Sequence, residues 1–280
     1  MRGALSLGRR VLSAPQRMQL VVLDYRVRPD PRARNPHIVE RIEDARPRLH
    51  DTVDGIVGFE PFFARVPTTA PSGTTQPSWR NEWLPALDAA ALYSFVASRN
   101  AKQFVEIGSG HSTRFAARAR EDHGLDTLIT SIDPRPRVDI ETCCDVAVTR
   151  PLESADLALF DSLDRGDVIF LDGTHRVFQN SDATVFFTEV IPRLRRGVIV
   201  GVHDVFLPDD YPRRWRRRFY SEQYLLAAWL LAGSRLDVLF PAWFACHDEA
   251  LSRSLEPLRR CAPVAAAWGD GGSFWFSIAR

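Results

Sequence analysis

Residues 103–113 read Gln103-Phe104-Val105-Glu106-Ile107-Gly108-Ser109-Gly110-His111-Ser112-Thr113. A short apolar run that breaks at two glycines and resumes in small polar residues predicts a strand, a tight turn and a helix start. Glycine lets the backbone turn sharply and approach a ligand, and the first turn of the next helix offers unpaired N–H groups to it. Twenty-five residues past Gly108 a second apolar run, 128–132, ends in Asp133, which is placed to accept hydrogen bonds from ribose hydroxyls. A nicotinamide-dinucleotide site would share both features. Its fingerprint needs a third glycine, however, and Thr113 stands there.

Outward from this turn the period alternates between strand and helix. Helical stretches are expected at 112–122, 152–160, 181–194 and from Trp215 to about 231, and strands at 145–148, 167–171, 197–202, 236–240 and 273–278. Strands separated by helical crossovers imply a Rossmann-like, doubly wound α/β fold. Its sheet would have about seven strands, mostly parallel, with helices on both faces. Ligands in such sheets sit at the carboxyl ends of the strands, so residues just past each strand are the ones to weigh. Before the first of these strands, Leu84, Leu87, Ala91, Leu92, Phe95 and Val96 recur at helical spacing. The N-terminal part differs: a strand at 19–24, a short charged helix at 38–49 and an irregular proline- and threonine-rich loop at 61–77 are expected. The division is therefore a covering extension, 1–80, and a main domain, 81–280.

Composition narrows the function classes. The 280 residues are 45% hydrophobic and 25% charged, which fits a globular chain. Thirty-six basic residues against 35 acidic ones leave a net charge of +1, too little for a protein living on nucleic-acid phosphates. The longest apolar stretch, 225–232, cannot span a bilayer. Four cysteines with no Cys-x-x-Cys spacing make neither a disulfide scaffold nor a zinc site, and adjacent Cys143 and Cys144 read as small buried hydrophobes. Residues 1–18 hold Arg2, Arg9, Arg10 and Arg17 and no acid, a transit-peptide composition. Lys102 is the only lysine in the whole chain, so this excess of arginine reads as codon bias, and a cytoplasmic enzyme is expected.

Further motifs sharpen this. Asp133-Pro134 follows the second strand; Asp167-Val168-Ile169-Phe170-Leu171-Asp172-Gly173-Thr174-His175 spans the fourth; Leu194-Arg195-Arg196-Gly197-Val198-Ile199-Val200 and His203-Asp204 mark the fifth. With Glu106–Gly110 these resemble the class I S-adenosylmethionine-dependent methyltransferases. Within that class they resemble the small bacterial branch with a D-G-[ST]-H motif and an H-D pair, over roughly residues 81–240. The resemblance implies S-adenosylmethionine as cofactor, bound by Glu106, Gly108, Ser109, Gly110, Ser112, Thr113, Asp133 and Asp172. Gly108–Gly110 would line the methionine end and Asp133 the ribose.

Related metal-dependent O-methyltransferases place acidic or amide ligands at these strand ends. Carried over, Asp172, His203 and Asp204 become ligands of a divalent metal, magnesium, manganese or another. An imidazole in the set moves preference from magnesium toward manganese, iron or zinc. Without a metal, His203 is left as a base or a packing residue, and Asp172 and Asp204 as helix caps. His175 stands where those relatives keep the basic side chain that takes the substrate proton, and an imidazole suits that task.

The acceptor implied is a small molecule bearing a hydroxyl, a sugar or natural-product scaffold. Arg213, Arg214, Arg216, Arg217 and Arg218 around Trp215 read either as a solvated face or as a grip on an anionic or glycosidic acceptor, with nucleic acid the weakest reading. Trp79, Asn81, Trp83 and Tyr93 lie where a substrate lid is expected and would either stack on a ring or close the core. A homo-oligomer is an open expectation. Two other classes share parts of this pattern: a metal-dependent hydroxylase, which leaves Glu106 and the glycine turn without a task, and a non-catalytic cofactor-fold subunit of a biosynthetic complex.

Overall fold

Runs rich in valine, isoleucine and phenylalanine pair side by side in a computed structural model that describes residues 34–279 except 72, 141 and 234. Five of them run parallel: β1 Gln103–Ile107, β2 Leu128–Ile132, β3 Val146–Val148, β4 Val168–Leu171 and β5 Ile199–Val202. Two more, β6 Leu236–Pro241 and β7 Phe274–Ile278, close one edge, with β7 antiparallel to both β5 and β6. The order across the sheet is β3-β2-β1-β4-β5-β7-β6. β4 and β5 are buried at every residue, as strands covered on both faces must be, and so read as unbroken apolar runs. The strand order reverses between β1 and β4, where Ile107 pairs with Leu171. Gly108 and Asp172 therefore emerge next to each other at the carboxyl edge, the place where open α/β sheets form a crevice.

Helices cover the sheet. α1 Pro36–Glu43 and α2 Arg46–Val57 precede α3 Ala86–Arg99; α4 His111–His123 links β1 to β2. A continuous run, α5, joins Asp182–Val185, Phe186–Val190 and Ile191–Arg193 ahead of β5, and α6 Glu222–Ala232 precedes β6. Asn35 starts α1 by accepting bonds from the His37 and Ile38 amides at 3.1 and 3.4 Å, with Pro36 at the first helical position. α3 is buried from Ala86 to Val96, so its helical spacing is set in an almost wholly apolar sequence.

The sequence-based expectations differ from the structure in several places, and one further expectation falls where no comparison is made. The expected strand at 19–24 lies outside the described residues. The single helix at 38–49 is two, broken at Asp44 and Ala45, because Pro47 has no N–H to donate to the Glu43 carbonyl. The loop expected from 61 begins inside a helical turn, Glu60–Phe63. The return at 152–160 is a pair of 3₁₀ turns, Leu152–Ser154 and Leu157–Ser162, the second capped where Asp156 accepts from the Ala158 amide at 2.9 Å. Residues 242–265, for which no helix was expected, form four short helices. Among the described residues no helix is long and apolar enough to cross a membrane.

Candidate active site

The glycine turn after β1 is fixed by backbone constraints. Gly108 has φ +83°, and a Cβ there would overlap the Asp172 carbonyl, so both conformation and the approach of β4 exclude a side chain. Gly110 meets nothing within 4 Å, which leaves its side of the turn open to a ligand. The Ser109 amide donates to Asp133 Oδ2 at 2.8 Å, while the Ser109 hydroxyl turns inward to Ser131. Asp133 Oδ1 takes the Arg135 amide at 2.6 Å, and the carboxylate stays half-buried at the edge of a cavity. Ile132, Pro134, Pro151 and Leu152 give this cavity apolar walls. An acid beside such walls fits a nucleoside: hydroxyls for the carboxylate, a flat ring for the walls.

Glu106 works from below. It is wholly buried and accepts from the Thr113 hydroxyl, which in turn accepts from the Gly110 amide at 3.1 Å. Burial pushes its carboxyl up to about 8. The acid thus ties the turn to the first turn of α4, where Ser112 is also buried, and does not line the cavity.

The strand ends of β4 and β5 bring Asp172, His203 and Asp204 together, with one ligand atom of each within 4.8 Å of the others. His203 Nδ1 lies 3.1 Å from Asp172 Oδ1 and 3.6 Å from Asp204 Oδ1. His175 reaches the same acids from the loop after β4: its Nε2 is 3.3 Å from Asp172 Oδ1 and 3.5 Å from Asp204 Oδ2. The ring faces the crevice and lines it, though only 3% of the residue is exposed. His175 and Asp204 both hold left-handed backbones, φ +61° and +57°, a strain that proteins keep mainly at functional positions.

Charge is unevenly balanced here. Burial pushes the Asp172 carboxyl up, but the His203 and His175 imidazoles outweigh it and hold it far below the usual range. Burial would lower both histidines; Glu222 and Asp172 reverse this at His175, and Asp172 and Asp204 reverse it at His203. Asp204 is raised by burial, against the pull of His203. Four acids, Asp88, Asp172, Asp204 and Glu222, thus face two imidazoles.

Two of those four acids were not read as site residues. Asp88, wholly buried on α3, accepts from the Gly272 amide at 2.8 Å and from the Ser273 amide and hydroxyl at 2.9 and 2.6 Å. Its Oδ2 also lies 3.4 Å from His203 Nε2. An acid inside the apolar run Ala86-Leu87-Asp88-Ala89-Ala90 was the available signal. Glu222 is wholly buried at the start of α6 and bonds His175 Nδ1; burial pushes its carboxyl up to about 7. Asp182 was missed as well. It accepts from the Thr174 amide at 2.6 Å and hydroxyl at 2.5 Å, and fills the space a Cβ on Gly173 would need.

A second cavity opens on the other side of Asp172, lined by His175, His203 and Asp204. Asp172 and Arg137 line both cavities, so the two adjoin. The lid residues divide: Trp79 is packed on Phe63 and Phe115 and Tyr93 is buried against Asp122, whereas Asn81 and Trp83 line the second cavity. Of the arginine run only Arg218 lines it, together with Trp215 and Tyr220. His111 lies beside the glycine turn, its Nδ1 buried without a hydrogen-bond partner.

Residues 105–205 match the family described as a methyltransferase domain. Among solved structures the chain is similar to the S-adenosylhomocysteine-bound methyltransferase of Podospora anserina, at 17% identity over 80% of this chain and 88% of that one, with a TM-score of 0.43. It is also similar to the O-methyltransferase of Bacillus cereus in complex with S-adenosylhomocysteine, at 16% identity over 82% and 91%, with a TM-score of 0.40. The comparison with curated proteins gave no match.

Proposed function

We propose that the chain, a member of the class I S-adenosylmethionine-dependent methyltransferases, methylates a hydroxyl of a small-molecule acceptor, a sugar or natural-product scaffold, held in the cavity over Asp172, His175 and Asp204. The observation that carries this reading is the position of Asp172, whose side of the crevice adjoins the glycine turn and also faces the His175 imidazole. S-adenosylmethionine supplies an electrophilic methyl group when bound. Gly108–Gly110 and Asp133 would hold it, with Glu106, Ser112 and Thr113 fixing the turn from beneath.

His175 is the proposed base. Glu222 accepts at Nδ1, so Nε2 is the nitrogen that faces Asp172 and Asp204. These acids favour its protonated form; in the neutral form, once Nε2 has released that proton, it takes the acceptor's hydroxyl proton there. The imidazolium so formed is held by three carboxylates. A proton affinity raised in this way suits an alcohol, a far weaker acid than an imidazolium. Since methyl transfer is an in-line displacement without a covalent enzyme intermediate, positioning in this enclosed crevice does most of the work.

Asp172, His203 and Asp204 are the proposed holders of a divalent ion. Their convergent donor atoms and the Asp88 contact behind His203 fit one, and the imidazole favours manganese, iron or zinc over magnesium. An ion there would acidify the bound hydroxyl.

One assay series tests both parts: methyl transfer from S-adenosylmethionine to a panel of hydroxylated compounds, for wild type and His175→Ala, with and without EDTA. His175→Ala should lower kcat by roughly 10²–10⁴-fold with affinity for S-adenosylhomocysteine unchanged. A parallel loss of cofactor affinity and melting temperature would instead make His175 a loop anchor. Full activity in excess EDTA would remove the ion.

A further inference from the structure

The acceptor cavity carries chemistry that methyl transfer alone does not need. Arg218 lies across the Trp215 ring at 3.8 Å from its centroid and 5.5 Å from that of Tyr220; Arg137 lies 4.4 Å over Trp83. All five side chains line the cavity that holds Asp172, His175 and Asp204. A guanidinium stacked on an aromatic face is held flat, with its N–H edge still free to donate in the plane. Asp172 and Asp204 line the same cavity, as does exposed Glu82, yet among the described residues neither arginine comes within 4.0 Å of a carboxylate. Their five-donor edges are therefore left for something else. The nearest rings, Trp215 and Tyr220, stand edge to face at 5.5 Å, and both line the cavity beside Arg218.

We infer that the acceptor is a hydroxylated ring bearing an anionic oxygen group, a carboxylate or a phosphate, with the ring beside Trp215 and Tyr220 and the anion on Arg218. Planar anionic oxygens match the guanidinium fork and form charge-assisted bonds that a neutral group cannot replace. This rests on the methyl-transfer reading and adds the acceptor's charge to it. Arg137 also lines the cavity next to the glycine turn, so it is open to a cofactor group as well, and Arg218 is the cleaner probe.

The test is calorimetric, on protein saturated with S-adenosylhomocysteine. Matched probes separate the sources of the anion: 3,4-dihydroxybenzoate against 3,4-dihydroxybenzamide, glucuronate against glucose, and glucose 1-phosphate against methyl glucoside. At least one anionic member should bind about tenfold or more tighter than its neutral partner, about 1.4 kcal/mol. Arg218→Gln should abolish that ratio while affinity for S-adenosylhomocysteine and the melting temperature stay put, and Arg218→Lys, which keeps the charge but not the fork, should restore part of it. Equal binding within every pair, no binding by any anionic member, or a ratio that survives Arg218→Gln would overturn the inference. Failure of wild type to bind S-adenosylhomocysteine would instead strike the methyltransferase reading itself.

Discussion

The two ends of the crevice are built by different means. At the glycine turn, position comes from backbone: the φ of Gly108, its contact with the Asp172 carbonyl, and amides aimed at Asp133. At the acid–imidazole end it comes from side chains that meet only after folding. There α3 contributes Asp88, β5 leads into His203 and Asp204, and α6 contributes Glu222. A backbone-built site has few ways to vary and should fail all at once. A side-chain-built site can lose one member and keep its frame, so the chemistry at that end can change without cost to the cofactor end.

Gly108→Ala should break the first end hardest. Left-handed strain and overlap with the Asp172 carbonyl add up to about 3–5 kcal/mol, read as lower thermal stability together with lost S-adenosylhomocysteine binding. Loss of acceptor turnover alone, with stability and cofactor affinity intact, would erase the contrast between the ends. Glu106→Gln should act least. The carboxyl lies at about 8 in the folded chain because of burial, above its unfolded value. Its stabilising contribution is then present below the unfolded pKa and fades as pH rises through about 8. The amide mimics the protonated form, so the variant should match wild type to within about 1 kcal/mol near pH 5 and lose less stability by pH 9. Chemical denaturation at several pH values checks this; parallel curves for the two proteins would mean that Glu106 is ionised throughout.

Much of the frame could be read from residues. Alternating strand and helix periods gave the parallel sheet because β4 and β5 are buried on both faces and show it as continuous apolar runs. Asp133, Asp172, His203 and Asp204 could be picked out because each follows a strand, and parallel strands deliver their ends to one edge. Asp88 and Glu222 could not, since nothing local tells a buried partner of a distant imidazole from a solvated helix acid. The split of the helix at Asp44 turned on one missing N–H at Pro47, and the 3₁₀ turns after β3 on caps too short to show a period.

The most direct test of the cofactor assignment is calorimetry of S-adenosylhomocysteine and NADH against wild type and Asp133→Ala. Wild type should bind S-adenosylhomocysteine and ignore NADH, and Asp133→Ala should weaken the binding by about 1–3 kcal/mol, the cost of stranding a ligand's buried donors. Binding or thermal stabilisation by NADH, with none by S-adenosylhomocysteine, would contradict it.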